Sequence, residues 1–208
     1  MGQGSRASAP FGFGSGFGAL RRLAAAAALV LAAGAVVQAA RRTIGDRRFL
    51  TTGSARWIWL TRDIPEPRSL SFRAMANFAI SGEPPRAAPC RIFAGGSWTL
   101  EVNGGRAGAG TQHPGDALAV LDLARRLRAG DNRVAIDVSS PDGAGGILFW
   151  LDLGGGRTVV SDGAWRVTPL SPEAGPERAA AVWGRPPMYP WRYPRLPAEP
   201  GRAEKGPR

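Results

Sequence analysis

One histidine, one cysteine and sixteen carboxylates are the groups in this 208-residue chain from which acid–base, nucleophilic or metal chemistry could be built. A single cysteine, Cys90, excludes an intramolecular disulfide and any cysteine-cluster metal site. In "AAPCRIFA" it alternates with Ala88 and Ile92, the pattern of a small buried strand residue rather than of a reactive thiol. A single histidine, His113, excludes a two-histidine zinc centre. Its surroundings, "TQHPGD", read as a surface loop in which Pro114 and Gly115 form the turn. Glycoside hydrolysis would need two carboxylates facing each other across the scissile bond, one of them with a raised pKa. Asp137 and Asp152 instead alternate with core residues along strands. Asp116, Asp131, Asp142 and Asp162 fall in turns, where an aspartate bonds nearby backbone amides. No nucleophile and base are paired in this pattern, so the chain is expected not to be an enzyme. Oxygen-rich turns could hold a structural calcium ion, but no ligand set can be assigned and no cofactor is implied.

The elements that must position these groups are short and alternating. Strand patterns cover residues 56–60, 70–80, 88–94, 98–102, 117–123, 133–139, 147–153, 157–160 and 165–169. In "LSFRAMANFAI", Phe72, Ala74, Ala76, Phe78 and Ile80 share one face. In "WTLEVNGGRAG", Trp98, Leu100 and Val102 share another, and Asn103-Gly104-Gly105 supplies a tight reversal. Further turns are marked by Gly82 with Pro84, Gly95-Gly96, Asp131-Asn132, Asp142-Gly143 and Gly154-Gly155-Gly156. One stretch departs from the period of two. "DLARRLRAGDN" spaces Leu123 and Leu127 four apart and ends on Gly130, a single helical turn between strands. Strands spaced by about 8 to 15 residues imply an all-β antiparallel sandwich.

The ends differ from this middle. Residues 1–19 are rich in Gly, Ser and Phe and cannot build a core. Residues 23–40 are an uncharged run of 18 between two arginine pairs, about 27 Å long as a helix and just able to cross a hydrocarbon core. Residues 20–42 are therefore expected to be a transmembrane anchor or a signal segment. Val37-Gln38-Ala39 suits cleavage, whereas Arg41-Arg42 directly after it suits retention. The flanking arginines nearly balance, so the positive-inside rule does not orient the segment. Arg21-Arg22 ahead of the apolar run resembles an export signal. The expectation is a single-pass protein of a bacterial inner membrane with a periplasmic β domain, or a secreted one if the segment is cut. Positive charge exceeds negative by six in residues 1–48, by two in 49–170 and by three in 171–208. A nucleic-acid binder would concentrate that excess on its folded domain, so no nucleic-acid partner is implied.

Six pieces in order carry a family resemblance: Trp57 and Trp59; Phe72 with Arg73; Val102-Asn103-Gly104; Leu127 with Gly130 and Asn132; an apolar strand; and Ser161-Asp162 with Trp165. Over residues 55–170 the chain resembles the galactose-binding-like jelly-roll domain that accompanies catalytic domains in bacterial α-L-rhamnosidases and family 2 glycoside hydrolases. That resemblance implies a β-sandwich whose catalysis, where there is any, lies in a separate domain. It also implies that a bound sugar would sit on loops at one end, where Trp98, His113, Asp116 and Asp142 are the ligand-binding candidates. The tail, 171–208, contains "VWGRPPMYPWRYPRLP", too rich in proline for a helix or a central strand. It is either an arm lying on the sandwich or a strap that docks a partner through Trp183, Tyr189, Trp191 and Tyr193. Two functions fit: a membrane-anchored, carbohydrate-binding-like or protein-docking module, and an accessory structural subunit of a membrane protein complex.

Overall fold

The computed structural model describes Gly34, Val36 and residues 52–62, 67–172, 174–192 and 194–197. The chain divides into two compact units, Met1–Asp46 and Arg47–Arg208. Of the first, Gly34 and Val36 are helical, and the rest of the expected anchor, like Tyr193 of the tail, lies outside the described residues. Among the described residues no helix is long and apolar enough to cross a membrane.

The second unit is an antiparallel sandwich. Its strands are β1 (Trp57–Trp59), β2 (Leu70–Ile80), β3 (Pro89–Ala94), β4 (Gly96–Val102), β5 (Gly105–Gln112), β6 (Ala119–Asp122), β7 (Gly130–Ser140), β8 (Ile147–Asp152), β9 (Thr158–Val160), β10 (Arg166–Ser171), β11 (Arg178–Ala179) and β12 (Ala181–Gly184). One sheet runs β12-β1-β8-β3-β6 with β9 beside β8; the other runs β11-β10-β2-β7-β4-β5. The expected helical turn is a 3-10 turn at Ala124–Arg126, between β6 and β7.

Alternation explains most of this. Along β2 and β7, Phe72 and Ala74 and then Val134, Ile136 and Val138 point into the space between the sheets, where burying a large aliphatic or aromatic side chain stabilises by about 1.5–3 kcal/mol. Cys90 belongs to this core, and burial pushes its thiol pKa strongly up, which keeps it neutral and inert. Asp137 faces outward on β7, where it accepts two 2.6 Å hydrogen bonds from Arg73 of β2. The strand "ILFWL" of β8 has no alternation because both of its faces are covered. Ile147, Phe149 and Leu151 face the opposing sheet, whereas Leu148 joins Trp57, Phe93 and Trp191 in a second cluster.

That second cluster is where the tail closes onto the sheet. β11 and β12 extend the sandwich past residue 170, each adding to the edge of a different sheet, because the stretch between Pro176 and Pro186 is free of proline. Residues 185–197 then form the arm, whose Trp191 stacks on Trp57 with centroids 4.7 Å apart. The arm is tied down by Leu118 N–H donating to Arg195 O at 2.7 Å and by the Arg195 guanidinium donating to Gly115 O.

The motifs of the family resemblance have structural duties here. Ser161 Oγ donates to Arg56 O and accepts from Phe149 N–H, pinning β1 to β8, and Trp165 Nε1 donates to Val160 O. Asp162 accepts from Ala164 N–H in its own turn. Asn103 and Asn132 clasp the loops at one end of the sandwich through Asn103 Nδ2 donating to Asn132 Oδ1.

Candidate functional site

A cleft of about 250 Å³ opens at the other end of the sandwich from that asparagine clasp. Its floor is the Gly95-Gly96 junction between β3 and β4. One wall is the loop after β5, with Gln112, His113 and Pro114. Another is the loop after β7, with Pro141, Asp142 and Ala144. The remaining wall comes from the tail: Trp183 of β12, and Pro190 with Trp191 of the arm. Four residues expected to act as two separate groups, His113 and Asp142 for a ligand and Trp183 and Trp191 for a partner, thus line one cavity.

Each wall is built by local chemistry. Gln112 is buried at the end of β5, where its side chain accepts from Ala94 N–H and donates to Ala117 O, holding the β3–β4 junction against the following loop. His113 begins a turn closed by Asp116, whose Oδ2 accepts from His113 N–H at 2.7 Å. The imidazole Nδ1 lies 3.7 Å from the same carboxylate and the ring is largely exposed. Asp116 therefore shapes the His113 loop and is not among the residues lining the cleft. Asp142 Oδ1 accepts from Ser140 Oγ and from Ala144 N–H, at 3.0 and 3.1 Å, which fixes the carboxylate on its loop. Trp183 Nε1 donates to Thr61 O, and its ring meets Trp191 edge to face with centroids 5.7 Å apart.

Two of the remaining candidates sit elsewhere. Trp98 is 4 % exposed and belongs to the core between the sheets, its ring against Gly108 and Gly110 of β5. The inward face shared with Leu100 and Val102 is as the sequence has it, but the strand begins at Gly96, two residues ahead of the tryptophan, so Trp98 is not the strand's loop-side end. Tyr189 is 86 % exposed on the arm and does not line the cleft. Conversely, the arm's contribution through Pro190 and the loop's through Pro114 and Pro141 escaped the sequence reading, since nothing in a proline's neighbours says which surface it will line. Among the described residues no three of His, Cys, Asp or Glu come together as a metal ligand set.

No protein-family model and no curated protein matches the chain. Solved structures do. A GH78 family rhamnosidase of Bacillus sp. GL1 superposes with a TM-score of 0.60 at 21 % identity, over 69 % of this chain and 20 % of the rhamnosidase. The lectin of Pleurotus ostreatus, in its apo form, superposes with a TM-score of 0.57 at 20 % identity, over 68 % of this chain and 45 % of the lectin. The same lectin in complex with GalNAc gives 0.56 at 23 % identity, over 71 % and 48 %. This chain therefore spans less than half the length of either protein. Likeness at such identities speaks for architecture, and with the strand order and register above it shows the second unit to be an antiparallel two-sheet β-sandwich with the fold that these proteins share over the superposed part.

Proposed function

We propose that the protein is a non-catalytic module that binds a carbohydrate in the cleft between the β5 and β7 loops and the C-terminal arm. The observation that carries this reading is the joining of two indoles, Trp183 and Trp191, with His113 and Asp142 in one open cavity. Apolar walls with a few fixed polar groups are what a pyranose needs: an aromatic surface for its C–H face and hydrogen-bonding groups for its hydroxyls. The lectin with the same fold, solved with GalNAc, supports the reading by analogy of architecture. The uncharged run at 23–40 supports a module tethered at residues 20–42, and Arg21-Arg22 ahead of it, which resembles an export signal, supports a sandwich outside the cytoplasm.

Titration of the protein with monosaccharides, followed by tryptophan fluorescence and calorimetry, tests this directly. His113→Ala, at an exposed position, should weaken a bound sugar several-fold and leave the melting temperature unchanged. Trp183→Ala should weaken it about tenfold, equivalent to about 1.4 kcal/mol. A sugar that binds both variants as tightly as it binds wild-type protein would place the site elsewhere. Trp98→Phe, deep in the core, should leave affinity as it is.

A second reading, an accessory structural subunit of a membrane complex, is favoured by Tyr189, a large aromatic side chain held almost wholly in solvent on the arm. Such a subunit should co-purify with a defined assembly after gentle detergent extraction. Tyr189→Ala should release it from that assembly without lowering its melting temperature. Unaltered co-purification of the variant would remove this reading.

A further inference from the structure

Residues 49–208 carry 20 Lys and Arg residues against 15 Asp and Glu, so their surface as a whole is net cationic. This cleft is not. None of the described residues lining it is Lys or Arg, and Asp142 is the one carboxylate among them. Arg68 meets the Asp142 loop through its main chain, donating to Asp142 O at 3.2 Å, and among the described residues its side chain makes no ion pair with the Asp142 carboxylate. Arg195, on the arm, spends its guanidinium on Gly115 O.

The polar groups left free inside the cleft are correspondingly few. Gln112 is spent on backbone partners at Ala94 and Ala117. Ser140 Oγ is spent on Asp142 Oδ1 and Ala144 O. Trp183 Nε1 is spent on Thr61 O. Asp142 Oδ1 is satisfied twice, while Oδ2 takes no hydrogen bond from the described residues. What remains is a held carboxylate with one open oxygen, the exposed His113 ring, the indole surfaces of Trp183 and Trp191, and the buried Trp191 Nε1, which has no hydrogen-bond partner among the described residues. A carboxylate beside aromatic faces attracts cations on two counts, by charge and through the ring quadrupoles. The same carboxylate repels an acidic sugar or a phosphate, with no arginine among the described lining residues to offset it.

We infer that the cleft selects a positively charged ligand and, on the sugar-binding reading on which this rests, an amino sugar: a pyranose bearing a free ammonium group placed against Asp142 Oδ2. The ammonium supplies the donors that the open oxygen lacks, and the ring lies against the tryptophans. Asp142→Asn is the informative variant, because an amide keeps the oxygen that Ser140 and Ala144 need and removes the charge.

The full chain is titrated with a 2-amino-2-deoxyhexose, its N-acetyl form, the parent hexose, the matching hexuronic acid and ethylammonium, at low salt and at 0.5 M salt. The amino sugar should bind about tenfold more tightly than the parent hexose at low salt, the gap should shrink in high salt, and the uronic acid should not bind. In Asp142→Asn the amino sugar and parent hexose should become equal. If the amino sugar and its N-acetyl form bind wild-type protein alike, or the uronic acid binds, or the preference survives in Asp142→Asn, charge selection is wrong while sugar binding stands. If ethylammonium binds and no sugar does, sugar binding is wrong and charge selection stands. If none of the five binds, both fall.

Discussion

Replacing Gly96 with alanine should cost the sandwich about 4 kcal/mol, a fall of about 10 °C in melting temperature for a domain of this size. Two effects add. Gly96 sits at φ +98°, beyond the left-handed region that non-glycine residues occasionally adopt, which by itself costs about 1–3 kcal/mol. A Cβ there would also lie 2.4 Å from Ser139 O and 3.1 Å from Ser140 Cα. Those neighbours are backbone, and they cannot retreat freely, because Ser139 is paired with Ser97 in the β4–β7 ladder. Gly104 separates the two contributions. It has φ +81° in the β4–β5 turn, and a Cβ added there would meet nothing within 4 Å, so Gly104→Ala should carry only the conformational cost, about 1 kcal/mol. Thermal or urea unfolding of both variants decides the matter: a Gly96→Ala protein no less stable than Gly104→Ala would mean that the chain relaxes around the clash. Since Gly96 also forms the floor of the cleft, the same substitution should reduce ligand affinity at temperatures where the domain is still folded.

The contrast between β2 and β5 explains what could be read ahead of the structure. β2 is legible because its inward positions carry Phe72, Ala74 and Ile80 and its outward positions carry Arg73 and Asn77, so period and chemistry agree from Leu70 to Ile80. β5, "GRAGAGTQ", contains no apolar residue larger than alanine, and hydrophobic alternation cannot flag it. Its glycines yield space instead: a Cβ on Gly110 would meet the Trp98 ring at 3.0 Å, and one on Gly108 would meet Leu121 at 2.9 Å. The strand is defined by the bulk of its neighbours, which is information held elsewhere in the chain. The cleft was half legible for the same reason. His113 and Asp142 announce themselves as loop residues beside Pro114 and Gly143, and the tail announces its aromatics. What joins them is the arm's return to the Leu118 region through the Leu118–Arg195 hydrogen bond, a pairing of residues 77 positions apart that no local pattern encodes.

Asn132→Ala should cost about 3 kcal/mol, because the side chain that it removes is the hub of a closed polar network. Asn132 is 2 % exposed. Its Oδ1 accepts from Arg128 N–H at 3.0 Å and from Asn103 Nδ2 at 2.9 Å, and its Nδ2 donates to Arg128 O at 2.7 Å and Gly130 O at 2.9 Å. Asn103, in turn, donates to Arg126 O and accepts from Arg133 N–H. Alanine at 132 strands two carbonyls and two donors at once. Aspartate should be no better, since a carboxylate cannot donate to Arg128 O and Gly130 O. Asn103→Ala, at a less buried position, should cost about 1.5 kcal/mol. The double variant is the sharper measurement: because the two amides share a hydrogen bond, the joint cost should fall short of the sum by more than about 0.5 kcal/mol. Strict additivity in a denaturant cycle would mean that the two loops are held independently, and that the Val-Asn-Gly and Gly-x-Asn motifs of the sequence are two separate turns rather than one clasp. The clasp lies at the far end from the cleft, so Asn132→Ala should lower stability while leaving ligand affinity unchanged below the melting range.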